Sequence, residues 1–256
     1  MKPILDKSMF REATTDSGSL SAMSSIVHRI ATQGEYRGTI YRGAAKAGRF
    51  SVSVCDCEEP ETAGTSPSQA DLDLVALATP CGAGIGYAPA FTLRTGGFLV
   101  FSVPTGSGEY AVELSRHERK KETALVFDSR KLGSGDIFIT HVLRPGTYAI
   151  RNTLGKGHAD LTVAYPEPGK PVCREQPVLV ECKEGAMNPD TIKILPAQAL
   201  MFSCARECRI TIELKKADDR PRAARPPAAV HAVVRKKEKA AKPGAKKVIR
   251  RIRFAG

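Results

Sequence analysis

Apolar positions along the chain follow two periods. Over residues 19–32, Met23, Ile26, Val27 and Ile30 share the spacing of one helix face. Ser19 or Ser21 stands where a cap belongs and Gly34 offers a stop, so a short N-terminal helix is predicted behind a mobile start at 1–18. From Tyr36 the period becomes two. Residues 38–41 and 49–55 predict a hairpin, with Phe50, Val52 and Val54 alternating against Ser51 and Ser53. Further strands are predicted at 71–78, 91–94, 97–104, 110–114, 124–127, 136–142, 148–152 and 157–165. Residues 98–101 are apolar at every position, as in a central strand. Residues 58–69, acidic and rich in Pro, Gly and Ser, predict an exposed loop, and residues 116–122 a charged hairpin tip.

Short strands at regular spacing, separated by turn signals, predict an all-β protein. The expected architecture is a β-sandwich over 36–166, immunoglobulin- or cupredoxin-like or a jelly-roll. Residues 166–171 (Pro-Glu-Pro-Gly-Lys-Pro) read as a linker. A second small β unit follows over 172–216, with strands at 178–182, 191–195, 199–203 and 208–214. At about 45 residues it is too small to bury a core of its own, so it is expected to pack on the first domain or exchange strands with a partner. An N-terminal arm at 1–35 and a basic, disordered tail at 217–256 complete the division. The 42% of apolar residues excludes a wholly disordered chain, and 22 Gly with 17 Pro suit short strands and turns rather than a helical bundle.

Charge changes this picture more than composition does. Residues 220–256 hold 13 of the 39 Lys and Arg and one of the 27 acidic residues, a net +12. Residues 1–219 therefore hold 26 of each sign and are neutral. A confined block of like charge marks an interaction arm rather than a fold element.

The first residues hold no apolar run of signal-peptide kind. The uncharged stretch 74–93 is long enough to span a bilayer, but Pro80, Gly82, Gly84, Gly86 and Pro89 argue against a membrane helix. No integral membrane segment is expected. The seven cysteines are Cys55, Cys57, Cys81, Cys173, Cys182, Cys204 and Cys208. An odd count without a leader predicts reduced thiols and a cytoplasmic protein. Their spacings do not match zinc knuckles, and buried apolar packing is the plainer reading.

The run Asn188-Pro189-Asp190-Thr191-Ile192-Lys193-Ile194, then a turn, then Ala199-Leu200-Met201-Phe202, resembles part of a cupredoxin sandwich over 178–214. The resemblance implies topology only. Copper-binding members of that family place a His soon after such a strand, whereas Cys204 and Cys208 follow here and the next His is His231. No cofactor is expected.

Candidate chemistry is sparse. Residues 82–86 read G-x-G-x-G followed by Tyr87 and Pro89, which does not open a helix as a dinucleotide loop must. His28 falls on the predicted helix and His117 at the charged tip. His141 and His158 lie on strands that could be neighbours, with Asp136 and Asp160 as further metal ligands, but a satisfied polar contact is the plainer reading. No acid–base pair or nucleophile motif stands out, and no enzyme is expected.

The tail carries the clearest signal. Arg235, Lys236, Lys237, Lys239, Lys242, Lys246, Lys247, Arg250, Arg251 and Arg253 are the expected polyanion-binding residues. Counterion release would give them affinity for nucleic acid without choice of sequence. The expected function is a non-enzymatic binding or structural protein. Its neutral β body would meet a protein partner or a second copy of the chain. Alternatives are a metal-binding or redox β-sandwich built on Cys204, Cys208 and His residues, or a tail that docks on a partner or an anionic membrane. A solubilising tail with no partner is the plainest alternative.

Overall fold

A computed structural model describes residues 10–56, 67–78, 88–106, 108–118, 121–166 and 175–219, without the side chains of 118–123. The chain divides into two units, 1–219 and 220–256, and the second lies outside the described residues. In chain order the first elements are β1 (Thr14–Asp16), β2 (Ser24–Arg29), β3 (Gly34–Arg42), β4 (Ala45–Cys55) and β5 (Gln69–Asp73). Helix α1 (Leu74–Ala78), β6 (Ala90–Arg94), β7 (Phe98–Val103), β8 (Tyr110–Glu118) and β9 (Lys121–Asp128) follow. Then come β10 (Ile137–His141), β11 (Gly146–Asn152), β12 (His158–Val163) and β13 (Val178–Lys183). The last are β14 (Ala186–Asn188), β15 (Thr191–Ile194), β16 (Ala199–Cys204) and β17 (Ile210–Ala217).

They form three sheets, in the orders β1-β17-β11-β12-β15, β14-β13-β16-β10-β2-β7-β5 and β6-β4-β3-β8-β9. Inward side chains from all three sheets join one continuous core. Phe50, Phe101, Phe138 and Phe202 are its largest fully buried members. Phe138 and Phe202 are partners across the β10–β16 pair, and their rings stack 5.9 Å apart. No helix among the described residues is long and apolar enough to cross a membrane.

The predicted helix over 19–32 is corrected: this segment holds β2, an inner strand bonded to β7 on one side and β10 on the other. Ser24 and Ile26 point into the core, and Val27 is half-covered on the opposite face. Partial cover on both faces is what gave the apolar positions a helix-like spacing. Met23 stands in the left-handed region at φ 61°, so a helix could not run through it. The strand predicted over 71–78 is also corrected at its second half. Asp73 accepts the N–H groups of Val75 (2.9 Å) and Ala76 (3.1 Å) through Oδ1, and this cap turns Leu74–Ala78 into α1. The helix packs against β3, β4 and β7.

Strands from either side of residues 166–171 share two of the sheets. β13 pairs with β16, and β16 pairs with β10; β15 runs parallel to β12. The small C-terminal set of strands thus finds its burial inside the sheets of the larger set. The β3–β4 hairpin turns through Gly43 at φ 58°, which a two-residue primed turn requires at its first central position.

Candidate functional site

The β2–β10 pair carries the polar groups that the core admits. Its register sets Ile26 opposite Phe138, which places Ser24 against Thr140 and His28 against Asp136. Ser24 Oγ and Thr140 Oγ1 are hydrogen-bonded at 2.9 Å within the core. His28 Nδ1 lies 2.7 Å from Asp136 Oδ1, and Asp136 is 3% exposed. The other carboxylate oxygen accepts the Gly133 N–H at 2.7 Å. A carboxylate only accepts, so the shared proton sits on Nδ1, and in the neutral form of the imidazole His28 Nε2 carries the lone pair.

This pair lines a cavity of about 420 Å³. Leu125, Val126 and Phe127 of β9 form an apolar wall, and Phe127 lies against the imidazole at a centroid distance of 4.3 Å. Lys131 and Glu207, an ion pair at 2.8 Å, also line it. The arrangement offers one hydrogen-bond acceptor, held in a fixed tautomer, beside apolar surface. Among the described residues no nucleophile is hydrogen-bonded to His28, and no group of three His, Cys, Asp or Glu is placed to hold a metal. A second cavity, of about 670 Å³, has Arg11, Glu12, Ser21, Arg42 and Glu109 in its lining. Burial holds the Glu12 carboxyl above its ordinary range, with the Ser21 hydroxyl acting against the shift.

No family model, curated protein or solved structure matches this chain. The likeness of 178–214 to cupredoxins therefore carries no functional argument. The structure does not bring the expected histidine pair together. His141 Nδ1 is 2.9 Å from the Met23 carbonyl in one sheet, while exposed His158 stands opposite Arg151 in another. Asp136 serves His28 instead. The ten cations from Arg235 to Arg253 lie outside the described residues, as do Cys57, Cys81, Cys173 and the glycines at 82–86.

The expectation of reduced thiols is corrected at one place. Cys204 and Cys208 form a disulfide across the turn after β16, with Cα atoms 6.5 Å apart, within the span a disulfide bridges. Residues 205–207 fold back far enough to bring Cys208 to Cys204 at the end of β16, which spacing alone does not reveal. The bond also removes both thiolates from any metal site.

The end of the described chain is tied to the body. Asp218 N–H donates to the Pro145 carbonyl (3.0 Å) and Tyr165 hydroxyl to the Asp218 carbonyl (2.9 Å). Arg144 grips Asp219 at 2.6 Å, and that hydrogen bond holds the Asp219 carboxyl below its ordinary range. Tyr148 hydroxyl donates to the Arg144 carbonyl at 2.6 Å, and burial pushes its phenol up to about 12. The unfolded phenol ionises near pH 10, so the native state is stable below that and loses stability as pH rises toward 12. Tyr148→Phe removes this dependence. We expect it to cost about 1 kcal/mol at pH 7 through the lost hydrogen bond. Above pH 10 the deficit should close and then reverse, because the wild type loses up to about 2.7 kcal/mol over two pH units. Urea midpoints of both proteins from pH 7 to 11 test this, and a gap that does not change with pH would refute it.

Proposed function

We propose that this is a non-enzymatic binding protein with two separable parts. The neutral β body makes protein contacts, and the arm 220–256 binds a polyanion, nucleic acid foremost. One observation carries the reading: the break between the two units falls at 219/220, where the charge also changes from zero to +12. The excess charge thus lies wholly in the second unit, and the first unit ends at residues 218 and 219, which Tyr165 and Arg144 fasten. Cations on such an arm bind phosphates by releasing condensed counterions, and each phosphate neutralised contributes a slope of about −0.9 to the fall of log K with log salt. Phe254 is the only aromatic residue in the arm, so base stacking adds little. Protein contact by the body is supported by Leu125 and Val126. They are 58% and 42% exposed on β9, an edge strand of its sheet.

The test compares full-length protein with a 1–219 truncation on duplex DNA, single-stranded RNA and vesicles containing phosphatidylserine, across a salt series. We expect binding to nucleic acid that is steeply salt-dependent and lost on truncation, with the β body still folded by circular dichroism. Nucleic-acid affinity unchanged by the truncation would overturn the proposal. Binding to vesicles alone would transfer the arm to an anionic membrane.

A further inference from the structure

Three cysteines converge at one end of the seven-stranded sheet. Cys204 closes β16 and is bonded to Cys208 across the turn. Cys182 on β13 is its register partner in a parallel pair. Register partners on parallel strands share a face, and here it is the inner one: Cys182 is 4% and Cys204 1% exposed. The Ala205 N–H donates to the Cys182 carbonyl at 3.1 Å, which holds the start of the disulfide turn against β13. Met187 of β14 covers the other side of Cys182 and is buried too.

We propose that Cys182, Cys204 and Cys208 form an internal thiol–disulfide exchange site, in which Cys182 can take Cys204 from Cys208. The Cys182 thiol gives up its proton and its Sγ attacks Cys204 Sγ. A bond forms between these two sulfurs as the bond between Cys204 and Cys208 breaks. The electron pair of the broken bond leaves on Cys208 Sγ, which takes up the proton. One disulfide and one thiol exist before and after, so the step consumes no oxidant or reductant.

The exchange would be felt at the His28 cavity. Cys208 N–H and carbonyl bond the Leu132 backbone at 2.9 and 3.0 Å, and the Cys204 carbonyl accepts the Gly135 N–H at 2.8 Å. Glu207, inside the disulfide turn, lines the cavity with its partner Lys131. Moving the bond to Cys182 would fasten β13 to β16 and release the far end of that turn.

Burial pushes the Cys182 thiol up to about 11, which keeps the attacking thiolate scarce and the exchange slow at neutral pH. Its register partners Cys204 and Met187 are uncharged. The charged neighbours on its own strand, Glu181 and Lys183, occupy the opposite face and pair with each other at 2.6 Å. Arg206 and Glu184, in the two flanking turns, pair at the surface. The exchange rate should therefore rise about tenfold per pH unit until the thiol itself titrates.

The test is non-reducing peptide mapping by mass spectrometry on full-length protein, alkylated after equilibration in a glutathione redox buffer. In Cys208→Ser we expect a Cys182–Cys204 linked peptide. Alkylation of both cysteines in this variant, under conditions that keep the wild-type Cys204–Cys208 bond, would overturn the proposal. So would a Cys204 link to any cysteine other than Cys182. Wild-type protein held between pH 7 and 10 and quenched in acid gives a second reading that does not depend on folding of the variant. There the Cys182–Cys204 peptide should accumulate faster as pH rises and be missing in Cys182→Ser. Its failure to form at any pH would likewise overturn the proposal.

Discussion

Replacing Asp136 by alanine is expected to lower the unfolding free energy by about 2–5 kcal/mol. Two donors lose their acceptor together, His28 Nδ1–H and Gly133 N–H, and each unmet buried donor costs about 1–3 kcal/mol. Asp136 is 3% exposed, so water reaches these donors only through the cavity that the pair lines. Asp136→Asn should cost less, about 1–2 kcal/mol, since its oxygen can keep the Gly133 N–H. Its amide would then face Nδ1 as a donor and move the imidazole proton to Nε2. The cavity would lose its acceptor while the fold survived. Urea titration gives the stability of the two variants, and long-range nitrogen–proton NMR reads the tautomer of His28. An alanine variant within 0.5 kcal/mol of wild type, which is the spread expected of an ordinary surface substitution, would show that the pair does not hold this corner of the sheet. A tautomer unchanged in Asp136→Asn would remove the assignment of the lone pair to Nε2.

That pair also shows where the sequence stops being legible. The two residues are 108 positions apart and meet through the antiparallel register of β2 and β10. Nothing local in Ser24–Arg29 says that this segment is a strand, since its apolar side chains also suit a helix face. Its partners β7 and β10 decide the matter by taking its backbone hydrogen bonds from both sides. The β3–β4 hairpin was legible because its pattern is local: alternation at Phe50, Val52 and Val54, with a glycine in the connecting turn. Strands β1 and β14, three residues each, are too short to carry a period.

The cysteines divide in the same way. Cys204 and Cys208 are close in sequence, but the turn that joins them is set by the backbone bonds of Cys204 to Asp136 and Gly135 and of Cys208 to Leu132. Cys182 reaches Cys204 through a parallel pairing, whose crossover connection leaves no signature of register in the sequence. The charge division needed no structure, because it rests on counting alone. Contact within the chain then broke at the same residue, which the count did not require.

The other large effect is expected at Phe50. Its ring is 2% exposed and lies over Gly38, its register partner across the β3–β4 pair. It also packs edge-on to Phe91 at 6.3 Å and against Phe101 at 6.1 Å. Phe50→Ala should cost about 3–5 kcal/mol, for lost burial and the cavity left behind. Gly38→Ala should also destabilise, by about 1–3 kcal/mol, because the new methyl would fall inside the ring of Phe50. The backbone is not the obstacle, since Gly38 does not use a positive φ. The glycine is there to make room for the ring, and the ring in turn covers the bare strand. With Phe50 already alanine, the same Gly38→Ala change should stabilise by about 0.5–1 kcal/mol, as alanine does over glycine inside a strand. The sign of one substitution therefore depends on the other, a coupling that a double-mutant cycle measures directly. Additive effects in urea unfolding would mean that strand and ring do not constrain each other, and that the glycine at 38 has some other cause.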